Sequence, residues 1–453
     1  MKRLRAAVFA LGLLGANAHA EDVRVPDASA LEPARAGRNV HAWREAVALL
    51  ARADPELAAA TEASERAQAV ADQALAGVLP RLQLSAAFEY RPLAPLLDLR
   101  SGQIENTWLS SSTWTPSTAL EVSIPVFALQ QWAHLRAAKR FADAAEAELR
   151  STGHRVKTAL AATLIATVTA ERLGEVARDG VRAANSRLAL AQSRKDLGAA
   201  TALDVRRFEQ DALSARASVI AAHEAIWRTR EALAIAVGSR TSVGVSPELT
   251  VDQMVRDATA QCRPVPGVEE RPEVAAAASS RRAATETVRE ARSAYWPTAA
   301  VTTRYELART TASDGTQSSQ RLTTQVWSVL GVLTWTLFDG GERAAVTRET
   351  EAAERHARAR LSAARGHAAI ATERSKKILE SAEDARAVAE AALETARETD
   401  RLTRLEQQLG RGSAFEAVGA AASLRRSELE LTLRQYALVQ ARFGAMLALA
   451  DCH

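Results

Sequence analysis

The chain has 453 residues, and its 58 basic against 54 acidic side chains leave a formal charge of only +4. Basic residues are interleaved with acids rather than clustered, which excludes the footprint of a nucleic-acid binder. Eight scattered histidines, with no HExxH and no CxxC, leave no catalytic set to assemble, so no enzyme activity, metal or cofactor is expected.

Residues 1–20 read as a secretory signal peptide. Lys2, Arg3 and Arg5 form its basic start, Ala6 to Leu14 its apolar stretch, and Ala18-His19-Ala20 a small-x-small cleavage site. The apolar stretch is well short of the ~20 residues of a spanning helix. No cysteine marks the cleavage site, so lipidation is not expected. Cleavage removes three basic residues and no acid, taking the charge from +4 to +1. Residues 21–40, with Pro26 and Pro33, read as an extended N-terminal arm.

A first repeat is predicted over 41–238. Asp54 is a good N-cap and Pro55 suits the first helical turn of an alanine-rich helix that ends at Leu79-Pro80. A strand follows at about 81–90, where Leu82, Leu84, Ala86, Phe88 and Tyr90 alternate with Gln83, Ser85, Ala87 and Glu89. A return strand at about 118–127 leads into a long helix over 129–197, roughly 100 Å at 1.5 Å per residue. A tip turn over 197–204 reverses the chain into a helix ending at Gly238. The helices of 25 and 37 residues that flank the 69-residue helix would run alongside it if stacked end to end.

A linker over 239–268 holds Cys262, and a second repeat then spans 269–453. Pro272 and Pro297 echo Pro55 and Pro80 at an offset of 217 residues. Strands are predicted at about 298–308 and 325–338. Phe338-Asp339-Gly340-Gly341 breaks the second, a long helix covers 342–409, and a tip turn over 409–416 precedes the last helix. The fold class is therefore mainly α with a small β contribution: two repeats, each a strand hairpin plus long antiparallel coiled-coil helices. Apolar positions at three- and four-residue steps, such as Val156, Leu160, Leu164 and Val168, fit close helix packing.

No stretch after the signal peptide has 18 consecutive apolar residues, which argues against helical spans but not against a β-barrel. Strands of about ten residues, apolar on one face and polar on the other, fit an outer-membrane barrel with a wet lumen. A soluble half-buried sheet shows the same alternation. Trp108, Trp114, Trp132, Trp296, Trp327 and Trp335 lie in or beside the strands, as interfacial girdles require. Four strands cannot close a barrel, and open edges cannot sit in lipid; three copies would supply twelve strands and remove every edge.

The PE…LP opening, the Phe338-Asp339-Gly340-Gly341 junction and the turn Leu-Gly-x-x-Thr/Ser-x-x-Asp/Glu in each half resemble the TolC family of trimeric outer-membrane efflux ducts. The turns are Leu197-Gly198-Ala199-Ala200-Thr201-Ala202-Leu203-Asp204 and Leu409-Gly410-Arg411-Gly412-Ser413-Ala414-Phe415-Glu416. The first junction, Phe127-Ala128-Leu129-Gln130, lacks the glycines of the second. The resemblance implies a homotrimer in outer-membrane lipid: a 12-stranded barrel on a tube of 12 helical rods in the periplasm of a Gram-negative cell. It implies passive conduction of substrate from an inner-membrane pump and a periplasmic adaptor. The outer duct of type I protein secretion fits equally, and a periplasmic coiled-coil scaffold is the alternative of another class.

By resemblance the turns lie at the periplasmic mouth. Glu416 matches the first of two acidic positions at the family's entrance, and the second falls on Gly419. Asp204 and Glu416 are thus entrance candidates, though their spacing from Thr201 and Ser413 is also that of a capping box. Gly198, Gly410 and Gly412 read as left-handed helix C-caps. Leu197, Gly198, Thr201, Leu409, Gly410, Arg411, Gly412 and Ser413 are the adaptor-contact candidates. In the family the linker and the C-terminal segment form a belt, so Cys262 and Cys452 are either a disulfide or two free thiols.

Overall fold

A computed structural model describes residues 35–94, 111–249, 253–254, 256–257, 262–264, 267–313, 319–448 and 450–452. The signal peptide, most of the N-terminal arm and Trp108 lie outside the described residues. In chain order the elements are β1 (Arg38–Val40), α1 (Trp43–Ala53), α2 (Pro55–Ala76), β2 (Arg81–Ala94), β3 (Ser111–Phe127), α3 (Leu129–Asp196), α4 (Ala202–Ala236), β4 (Val243–Val245) and β5 (Cys262–Pro264). The second half supplies α5 (Pro272–Ser293), β6 (Thr298–Ser313), β7 (Ser319–Thr334), α6 (Glu342–Gln408), α7 (Ala414–Ala448) and β8 (Ala450–Cys452). No described helix is long and apolar enough to cross a membrane.

The chain divides into two compact units, one holding residues 170–228 and 392–432, the other 37–169, 229–391 and 433–453. In the larger unit, α2 starts as its sequence dictates, with the Leu57 N–H donating to Asp54 Oδ1 at 2.7 Å. It lies against the start of α3 through Ala71, Ala74, Val78, Leu135 and Ala138, and Glu56 meets Arg155 farther along. The C-terminal part of α4 takes over beyond that point, with Leu233, Ala234 and Val237 packed with Leu160, Leu164 and Val168 of α3. End-to-end stacking of two helices against one is therefore realised. Gly238, at φ +66°, lies where a Cβ would sit 2.1 Å from that of Ala53.

The main core of this unit holds Trp43, Leu50, Leu160, Leu164, Met254 and Phe443. Trp43 meets Phe443 edge-on at 5.6 Å. Two short ladders tie in the segments flanking the repeats. β1 pairs in parallel with β4, and β5 pairs antiparallel with β8, setting Cys262 opposite Cys452.

The remaining strands form one antiparallel sheet in the order β2-β3-β6-β7. The strands exceed their predicted lengths, and the last ends earlier: β7 stops at Thr334 rather than at residue 338. Its final partner is Thr298, the first residue after Pro297, which has no N–H to extend the ladder. Prolines shape β3 as well. The β3–β6 register skips Thr115 and Pro116 and shifts between Pro125 and Phe127, while β2–β3 pairing runs on unbroken past Pro116. One ladder thus absorbs each missing donor.

Register sorts the side chains into two faces. Leu84, Leu120, Tyr305 and Trp327 stand in one row across the sheet, beside Leu82, Val122, Thr303 and Val329; Gln83, Glu121, Arg304 and Ser328 form a row of the opposite face. Arg304 bridges Glu121 at 3.3 Å and Glu306 at 3.1 Å on that polar face. No described residue covers the apolar face: Leu84 is 71% exposed, Trp327 75% and Leu333 70%. Among the described residues the edges are equally open, since β2 pairs only with β3 and β7 only with β6.

The smaller unit is made of the facing ends of α3, α4, α6 and α7. Ala177, Val181, Ala184, Ala212, Ala215 and Val219 line the α3–α4 seam. Alanine at most of these positions leaves room for two packed helices to approach closely. Gly174 carries this furthest, since a Cβ there would meet Ile226 Cδ1 at 2.7 Å.

Candidate functional site

Both tip turns belong to the smaller unit. Each long helix ends at a left-handed glycine, Gly198 at φ +76° and Gly410 at φ +74°. The Gly198 N–H donates to Lys195 O and Ala199 N–H to Arg194 O; Gly410 N–H donates to Gln407 O and Arg411 N–H to Glu406 O. This pattern satisfies the last carbonyls of each helix. Gly412 departs from the expectation: its φ is not left-handed. A Cβ there would lie 2.9 Å from Gln407 N and 3.2 Å from Glu406 C, so glycine is needed for close approach to the helix end.

The next helices start with reciprocal capping boxes. Thr201 N–H donates to Asp204 Oδ2 at 3.0 Å while Asp204 N–H donates to Thr201 Oγ1 at 3.2 Å. Ser413 and Glu416 repeat this at 3.1 and 3.2 Å. The bond from the Thr201 backbone, then that from its hydroxyl, hold the Asp204 carboxyl below its ordinary range; Ser413 does the same to Glu416. Both are therefore carboxylates at neutral pH, consistent with their place at helix N-termini.

A cleft of about 170 Å³ lies between the two turns, lined by Ala199, Asp204 and Phe208 from one and Gly410, Gly412 and Ala414 from the other. Beneath it Ala191, Phe208, Ala414 and Ala417 pack together. Leu197, Leu203, Leu409 and Phe415 are exposed around the turns, as are Thr201, Arg411, Ser413 and Glu416. Arg207 stands over the Phe415 ring at 5.6 Å, and Arg206 pairs with Glu209 at 2.7 Å. The structure thus brings Asp204, Gly410 and Gly412 to one cleft and leaves Glu416 outside it.

Sequence reasoning missed the buried charges behind the turns. Arg425 of α7 forks onto Asp211 of α4. Asp400 of α6 is reached by Arg404 and, at 3.7 Å, by Arg187 of α3. Burial lowers the Arg187 pKa, against the pull of Asp400. Gly180 of α3 leaves room for this arrangement, since a Cβ there would meet Arg425 Cδ at 2.9 Å. One detectable signal is that Asp211 precedes Ala212 in a stretch whose apolar residues face α3.

The strand-to-helix junctions differ as their sequences do. In the second, Asp339 accepts from Gly341 N–H and from Arg343 N–H, each at 3.1 Å, across Gly340 at φ +67° and Gly341 at φ +93°. Phe338 is exposed. In the first, β3 passes into α3 through Ala128 alone, whose carbonyl accepts from Trp132 N–H.

A family model described as outer membrane efflux protein matches residues 47–239 and 268–449. No curated protein matches by sequence. Among solved structures, CusC, reported for its transmembrane channel formation, superposes with a TM-score of 0.74 at 17% identity, covering 90% of this chain and 91% of that one. The outer membrane protein VceC of Vibrio cholerae gives 0.72 at 18%, covering 90% and 95%. The open-state MtrE outer membrane channel of Neisseria gonorrhoeae gives 0.71 at 16%, covering 90% and 88%.

Proposed function

The chain belongs to the outer membrane efflux protein family, and on that premise we propose that three copies close a twelve-stranded barrel in the outer membrane and pass substrate through it passively. An inner-membrane pump supplies direction and energy, and a periplasmic adaptor joins it to the duct. The observation that carries this reading is the sheet. Its apolar face and both edges find no partner among the described residues. A soluble sheet would bury that face, and an open edge in lipid would strand its backbone donors. Joining β2 of one copy to β7 of the next covers the edges, lipid covers the apolar face, and the row of Gln83, Glu121, Arg304 and Ser328 faces a wet lumen.

The tip turns are the adaptor surface in this reading. Leu197, Leu203, Leu409 and Phe415 offer exposed apolar contacts around backbone held in one geometry by Gly198, Gly410 and Gly412. Asp204 and Glu416 add fixed negative charge at the mouth. Two measurements on one preparation test the proposal. After carbonate washing the protein should stay with outer membranes, and in planar bilayers it should conduct ions. Release by the wash would instead indicate a peripheral scaffold.

A further inference from the structure

The backbone of the β5–β8 ladder pairs Cys262 with Cys452, Arg263 with Asp451 and Pro264 with Ala450. These cysteines are 190 residues apart in sequence and are the chain's only two. Directly opposed positions of an antiparallel pair share one face, with Cα atoms about 4.5 or 5.5 Å apart according to the hydrogen-bonding site. Both spacings fall within the roughly 4.4–6.8 Å spanned by disulfides. Three-residue strands in a two-stranded ladder have little stability alone. The pairing nevertheless joins the segment between the repeats to the segment after α7, with residues of opposite charge at the central register position.

We propose that Cys262 and Cys452 form an intrachain disulfide that closes the second repeat into a covalent loop. An oxidised dithiol carrier of the cell envelope is the oxidant. One cysteine thiolate attacks the carrier's disulfide, releasing a carrier thiolate and forming a mixed disulfide. The second cysteine thiolate displaces the carrier, which leaves as a dithiol holding the two electrons. The two protons go to the carrier's thiolates. In the cell this inference rests on the outer-membrane reading, because that location exposes the pair to an oxidising compartment.

The bond fixes both ends of the second repeat to each other. A single backbone cut anywhere between the cysteines would therefore leave the fragments joined.

The test is intact mass after alkylation of protein extracted from the outer-membrane fraction. No alkyl group should add before reduction, and two should add after it. Two adducts without reductant, a small-thiol adduct on either cysteine, or a disulfide-linked dimer would overturn the inference. A second arm does not depend on location: reduced protein placed in a glutathione redox buffer should close the pair. Stable glutathione adducts on separate cysteines would show that the pair does not close. Chain missing from the outer-membrane fraction would count against the location alone. The variant C262S/C452S should assemble normally, and reductant should lower the melting temperature of the parent but not of this variant.

Discussion

Arg425 reaches across from the second repeat to fork onto Asp211 of the first, with only 15% and 2% of the two side chains exposed. A buried pair of this kind adds little over a well-packed apolar pair, but removing one member strands the other. Asp211→Asn should therefore cost about 3–5 kcal/mol and loosen the smaller unit. Hydrogen exchange over 197–204 and 409–416 should accelerate in the variant. Unchanged exchange would mean that Arg425 finds another partner.

At the turns, charge and capping can be separated. Glu416→Gln keeps an acceptor for Ser413 but removes the charge, so the helix start should hold while cation selectivity in planar bilayers falls. Glu416→Ala should lose both. The pH dependence follows from the lowered carboxyls. The stability they contribute is complete above the ordinary values of 3.8 for Asp204 and 4.5 for Glu416, and is lost as pH falls through their lower folded values. Protection of the turn amides, taken relative to the intrinsic exchange rate at each pH, should thus hold from neutral pH to about 5 and fall under strong acid. Loss of protection near pH 6 would contradict this.

The glycines of the second turn differ in what they tolerate. Gly410 needs a left-handed backbone, so Gly410→Asn should be mild and Gly410→Ala should cost about 1 kcal/mol. Gly412 needs space, so Asn and Ala should both disturb the α6–α7 turn there. Thermal melting of the four variants distinguishes the two causes.

The two faces of the sheet should respond oppositely to charge. Leu84→Arg places a cation toward lipid, costing about 2–4 kcal/mol near the membrane centre. Gln83→Arg places it on the polar face beside Glu121. The yield of assembled protein in outer membranes should collapse for the first and hold for the second. Equal yields would remove the assignment of faces.

The repeat was legible because it is written in residues with strong local rules. Paired prolines bound α2 and α5, and glycines stop α3 and α6. Strand faces were legible from alternation, but their exposure was not, since periodicity is the same whether chain or lipid covers a face. Short elements escaped. α1 shows only Trp43, Ala46 and Leu50 to its core, and β1 earns its place through β4, which begins 205 residues later. The Asp211–Arg425 pair escaped for a related reason. On helices filled with Arg and Glu at three- and four-residue spacing, nothing local marks the charge that pairs across the repeats.

Closure of the sheet by copies of the same chain is the central claim. Native mass spectrometry of detergent-extracted protein measures the number of chains. The account predicts three, held together until the detergent is made denaturing. A stable monomer or dimer would leave the edges of β2 and β7 open and would contradict it.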